Sequence, residues 1–177
     1  MIISEDTYND LITAFSYKLT LESSFYWKKA TNRLVEVFIL DYALISDTDE
    51  DYNSGLDTEE EQEVKEAIIA SEENSDTHLF IPRLSVDERI EIMKHFIQIQ
   101  TDLNQKQSLE NTLTTLINLK KAKPIDLIKN GFEMGFDFNN LTKNTKELTD
   151  SWIVFYRSQT KPFVDKWLTA IKNNNLV

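Results

Sequence analysis

The stretch HLFIPRLSVDERIEIMKHFIQIQ, residues 78–100, decides the fold class. His78-Leu79-Phe80-Ile81 is long enough for one strand and too short for a helix, and Pro82 ends it by withholding a backbone donor. Ser85 followed three residues later by Glu88 is a capping box, so a helix opens there and runs to about Gln100. Val86, Ile90, Met93 and Ile97 line one face of it, and Ile92, Phe96 and Ile99 line another. So wide an apolar surface predicts a central helix with Ile90, Met93 and Phe96 turned inward. A strand that feeds directly into such a helix points to an α+β arrangement.

Upstream, Tyr8, Leu11, Ile12 and Phe15 recur at helical spacing after Ser4, which predicts a first helix over about 5–15. Residues 19–29 and 34–39 are rich in β-branched and aromatic side chains. Ala30-Thr31-Asn32-Arg33 between them reads as a hairpin turn. The strand at 78–81 is expected to join that hairpin. Thr58 with Glu61 forms a second capping box, from which a helix with a narrow stripe of Val64, Ala67 and Ile68 runs to Ser71 and exposes a face of carboxylates.

Downstream, Leu109, Leu113, Leu116 and Ile117 make one amphipathic stripe, and Pro124 stands at a first-turn position before Ile125, Ile128 and Phe132. Trp152, Phe155, Tyr156, Phe163, Trp167, Leu168 and Ile171 mark a last helical stretch that Pro162 should kink or split. The expected fold is α+β and mostly helical, a small N-terminal antiparallel sheet (hairpin plus one strand) packed against a C-terminal helical portion. All of 1–177 is read as a single domain.

Composition narrows the class of function. With 41% hydrophobic residues, ten Phe, six Tyr and three Trp, the chain can bury a core. Cysteine is absent, so neither a disulfide framework nor a thiolate metal site is available, and a reducing, cytoplasmic setting is expected. The start, MIISEDTYNDL, lacks a signal-peptide pattern, and no run reaches the roughly 18 apolar residues of a membrane span.

Net charge is -11, and it is concentrated. Residues 41–76 hold fourteen Asp and Glu against the single Lys65, so the acidic loop and helix there carry -13 and the rest of the chain +2. Such a field disfavours phosphate backbones and anionic membranes.

Three pieces of the chain, in order, resemble the small bacterial proteins catalogued as uncharacterised protein family 0158. FIPRLSVDERIEIMKHF, residues 80–96, is similar to that family's Ile-Pro-Arg strand exit and Ser-capped helix. Trp152, Phe155 and Arg157 with Trp167-Leu168 resemble its closing pattern. Tyr26-Trp27 leading to Val35-Glu36-Val37 resembles its hairpin, although the usual Gly turn is missing, Lys28-Lys29 replaces acidic residues, and 125–129 replaces a Phe-rich segment. The resemblance implies a single α+β domain of bacterial origin. The family carries no assigned activity, so it brings no catalytic residues.

Among candidate sites, Asp49, Asp51, Asn53, Asp57 and Glu60 fall at positions 1, 3, 5, 9 and 12 of a calcium loop, with the Gly55 carbonyl at position 7. Against this, Ser54 stands where the turn needs Gly, no second loop exists, and the entering VEVFILDYALI reads more like strand than helix. A solvated acidic loop is the expected state, and no metal or other cofactor is expected.

His78 and His95 are the only histidines, and neither has a partner at metal-ligand spacing. His78 reads as a surface or sheet residue. Arg83, aimed by Pro82, is expected to pair with an acidic neighbour such as Asp87. The aromatic set from Trp152 to Trp167, with Lys120, Lys121, Lys123 and Lys129, could stack bases, but its helical spacing fits a core better.

The reading that follows is a non-enzymatic interaction protein that turns 41–76 toward a basic partner. Its rivals are a small enzyme with a site assembled from distant residues, a calcium-binding loop at 49–60, and nucleic-acid binding through the C-terminal helices.

Overall fold

The computed structural model describes residues 3–17, 23–46, 58–73, 75–120 and 146–173. The elements are α1 (Glu5–Ser16), β1 (Ser23–Lys28), β2 (Arg33–Phe38), α2 (Ile39–Ser46), α3 (Glu59–Glu72), β3 (His78–Phe80), α4 (Val86–Gln98), α5 (Leu103–Lys120) and α6 (Lys146–Asn173). The fold is α+β and mostly helical, with one small antiparallel sheet toward the N-terminus. The chain divides into two compact units. One comprises Met1–Phe15, Leu21–Pro82 and Val164–Val177, the other Ser16–Thr20 and Arg83–Phe163.

In the first unit, β1 and β2 pair antiparallel with Tyr26 opposite Val35, and β3 adds to the other side of β1 with Trp27 opposite Leu79. The sheet order is therefore β2-β1-β3. The hairpin turns without glycine because Asn32 takes φ 56°, the left-handed region that Asn tolerates better than most residues. Strand alternation sends Tyr26, Val35 and Val37 to one face, where Ala67 and Ile68 of α3 cover them. Trp27 is fully buried, and its ring lies 6.0 Å from that of Trp167, which in turn meets Phe15 edge-on at 5.8 Å. The sheet is thus packed against the end of the C-terminal helix.

In the second unit, Ile90, Ile92, Met93, Phe96 and Ile97 of α4 form a core with Leu109 and Leu113 of α5 and Trp152 of α6. The Phe96 ring is 5.1 Å from Trp152 and 5.3 Å from Phe155. Both expected capping boxes are present, Ser85 with Glu88 and Thr58 with Glu61. One buried side chain went unforeseen. Arg89 is 2% exposed and donates from Nε to Leu84 O (2.9 Å), from one terminal nitrogen to Ser16 O (3.1 Å) and Tyr156 Oη (2.9 Å), and from the other to Tyr17 O. Burial lowers its pKa and raises that of the Tyr156 phenol.

Of four local expectations, two need correction and two are narrowed to one of their alternatives. The run after Phe38 is helix α2, not strand, because the Asp41 carboxylate reaches back to the Phe38 N–H at 2.7 Å and caps it. Pro162 lies inside one helix rather than splitting it. Both Pro162 and Ser158, whose carbonyl loses its helical donor, are exposed, so water can take that bond while apolar residues on either side hold the helix. Ile99 is 59% exposed as the C-cap of α4. Of the two places expected for His78, surface or sheet, it takes the sheet, buried at the start of β3. Residues 121–145, with the Pro124 helix start, lie outside the described residues.

Candidate functional site

The order β2-β1-β3 leaves β2 at one edge of the sheet. In an antiparallel ladder successive residues direct their backbone groups to opposite sides. Phe25 O accepts from Ile81 N, and Lys29 N donates to Thr77 O, so the odd residues of β1 serve β3 and the even ones serve β2. Their partners in β2 are Val37, Val35 and Arg33. Leu34 and Glu36 consequently turn their N–H and C=O groups outward. Phe38 also turns outward, but its N–H is taken by Asp41. Among the described residues no strand pairs with this edge.

A concavity flanks each face of the edge. On the α3 side, one of about 430 Å³ is lined by Glu36, Asp41, Glu60, Glu61 and Glu63, with Arg33 as its cation. On the α1 side, one of about 660 Å³ includes Asp6, Asp10 and again Glu36. Arg33, Leu34 and Glu36 border both, so the outward edge is the ridge between two acidic hollows.

The acids are placed by the fold's local rules. Glu60 and Glu61 occupy the first turn of α3, where carboxylates favour the helix N-terminus, and Glu61 closes the Thr58 box. Asp41 caps α2. That helix is held by a 2.6 Å hydrogen bond between the Tyr42 and Tyr26 hydroxyls, the latter also 3.2 Å from Ser71 Oγ. Burial, followed by the Tyr26 hydrogen bond, raises the Tyr42 phenol well above its ordinary range, so it stays neutral.

Glu63 is buried on a face expected to be solvated. Arg33 approaches it at 3.4 Å and Lys28 at 3.6 Å. Glu36 Oε1 is buried with no hydrogen-bond partner among the described residues. Phe38, Ile39 and Leu40 next to the α3-side hollow are 49%, 56% and 71% exposed, a short apolar border.

A third concavity, of about 600 Å³, brings Lys28, Lys29, Glu66, Asp76, Thr77 and His78 together at the opposite end of α3. It is the best ground for an enzyme built from distant residues. Both of its lysines are already matched, Lys28 with Glu66 at 2.7 Å and Lys29 with Asp76 at 3.0 Å. The Glu66 hydrogen bond raises the Lys28 pKa. His78 Nδ1 lies 3.1 Å from Thr77 Oγ1, while Nε2 is closed off from solvent and unpartnered. Neither nitrogen is offered to a substrate in that hollow.

The remaining sequence candidates separate. Asp49, Asp51, Asn53 and Asp57 of the calcium pattern lie outside the described residues, while Glu60 begins α3 and lines the acidic hollow. Among the described residues no group of three His, Asp or Glu is placed to hold a metal ion. Arg83 sets its guanidinium over the Tyr17 ring, 5.4 Å from the centroid, a cation–π contact that sequence spacing could not reveal. His95 is exposed in the last turn of α4.

Trp152, Phe155, Tyr156 and Phe163 pack into the second unit's core, and Trp167 into the first, so these rings are not a stacking platform. Of the lysines named with them, Lys121, Lys123 and Lys129 lie outside the described residues. No helix among the described residues is long and apolar enough to cross a membrane.

No protein-family model, curated protein or solved structure matches the chain.

Proposed function

We propose that this chain is a non-enzymatic interaction protein whose acidic sheet edge receives a basic partner protein. The observation that carries the reading is the convergence of Asp41, Glu60, Glu61 and Glu63 on the α3-side hollow, with Arg33 the one cation among its described lining residues, while Glu36 adds its charge on the opposite face of the same edge. Carboxylates scattered for solubility have no reason to share a concave surface, whereas a partner's lysines and arginines meet their complement there. Arg33 at 3.4 Å from Glu63 is an intrachain instance of the same contact. The net charge of -11 steers such a partner in and turns nucleic acid away. The reading keeps the chain in the cytoplasm, on its lack of cysteine, and among the small bacterial proteins it resembles.

Fluorescence anisotropy with a labelled Lys-rich octapeptide at low salt tests it. Saturable binding is expected, weakened by Glu36→Gln with Glu60→Gln, and a Glu-rich octapeptide should not bind. Equal affinity of the folded double variant would refute the assignment.

A further inference from the structure

We infer that the partner is bound as an added β-strand: an extended segment carrying neighbouring Lys or Arg residues pairs its backbone with Leu34 and Glu36 at the open edge of β2. This rests on the reading of the acidic edge as the binding site and adds the conformation the partner takes there. A helix or a folded basic patch could use the charge but not the backbone. The outward N–H and C=O groups of Leu34 and Glu36 form a short row of two donors and two acceptors with no strand against it among the described residues. Exposed edges of this kind are templates for another strand unless something blunts them. Residues 33–38 contain neither proline nor lysine, and their interior charge, Glu36, guards the edge against an acidic strand but not against a basic one.

Charge selects the occupant. Side chains of an added strand alternate between the two faces of the sheet. Those pointing to the α3 face meet Asp41, Glu60 and Glu61, and those pointing to the α1 face meet Asp6, Asp10 and Glu36. Cations are therefore wanted on both faces, which a run of adjacent Lys or Arg supplies and a one-sided alternating pattern does not. A second copy of this chain is a poor occupant, since edge-to-edge pairing would bring the acids of two -11 chains together.

The test uses the full chain and two octapeptides of identical sequence, with Lys or Arg at every position but two. One is unmodified and the other is N-methylated at every second backbone amide along the edge that would pair. Charge is unchanged by methylation, while the strand's donors are lost.

The unmodified peptide should bind at least about tenfold tighter than the methylated one, the effect of losing two or more hydrogen bonds. Hydrogen exchange at the Leu34 and Glu36 amides should slow on binding, with Val35 changed less. Leu34→Pro, which removes one outward donor from an edge position that tolerates proline, should weaken the unmodified peptide alone.

Equal affinity of the two peptides without protection at Leu34 and Glu36 would overturn strand addition and leave the acidic site standing. Failure of both to bind at low salt would overturn the acidic site as well. Protection of these amides in the peptide-free chain, together with a dimer in sedimentation, would name a second copy as the occupant and overturn the inference.

Discussion

Replacing Arg89 with methionine keeps the aliphatic stem in the core and removes the guanidinium fork. Four acceptors then lose a donor: Leu84 O, Ser16 O, Tyr17 O and Tyr156 Oη. A buried acceptor left unpaired costs about 1 to 3 kcal/mol, which applies in full to Leu84 O and at roughly half to the three part-buried ones. Against this, a guanidinium no longer has to be taken out of water, which returns several kcal/mol. The two effects largely offset, so Arg89→Met is expected to cost at most about 4 kcal/mol, read from urea titration.

Arg89→Lys separates geometry from charge. It keeps a cation in the same buried place, yet a single ammonium cannot reach acceptors that diverge around a planar fork. It should cost at least as much as methionine. An Arg89→Lys variant as stable as the parent chain would refute the view that the fork ties α4 to residues 16–17 and α6.

Three further outcomes follow from the same structure. Ile90→Ala deletes a buried contact of the second unit's core and should cost about 2 to 5 kcal/mol, with a change under about 1 showing that the core is misplaced. His78 has its pKa lowered from 6.5, by burial first and the Lys28 charge second, with Glu66 and Glu63 opposing. The unfolded chain therefore takes up this proton at higher pH than the folded one, so stability is full above 6.5 and falls as pH drops from there toward the lowered folded value. His78→Gln should shrink the fall in urea midpoint between about pH 7 and about pH 5, and an unchanged fall would assign it to other groups. Millimolar calcium should leave Tm where sodium or magnesium at matched ionic strength leaves it; a calcium-selective rise abolished by Glu60→Gln would show that the pattern from Asp49 to Glu60 binds the ion.

Features with a local physical rule were legible in the sequence. The two capping boxes placed the starts of α3 and α4, the proline after Ile81 closed the third strand, and helical spacing identified Ile90, Met93, Phe96 and Trp152 as core. Tertiary choices were not legible. Arg89 sits among acidic neighbours on a capped helix and looks like a surface residue, yet its acceptors come from residues 16, 17 and 156, which no local spacing connects. Glu63 belongs to an acidic face and is buried because Lys28 and Arg33 of the hairpin reach it.

A local signal did exist for α2. Asp41 stands three residues past Phe38, where a carboxylate closes a helix start, but the β-branched run around it reads more strongly as strand. The candidate site was half visible. The sequence concentrates charge in 41–76, but the contributions of Glu36, Asp6 and Asp10, and the open edge itself, depend on which strand lies outermost.

The most direct test of the acidic edge is the association rate of the Lys-rich octapeptide, measured by stopped-flow fluorescence between 0.01 M and 0.15 M ionic strength. The screening length shortens over that range from about 30 Å to about 8 Å, so association should slow clearly while dissociation changes less. Neutralising Glu59, Glu60, Glu61 and Glu63 to Gln should reproduce the slowing at low salt in a variant shown by circular dichroism to be folded, at some cost in stability from the loss of the Thr58 box and of first-turn carboxylates. A folded quadruple variant that binds with the rate and salt dependence of the parent chain would contradict the account and leave the carboxylates of 41–76 as a means of staying in solution.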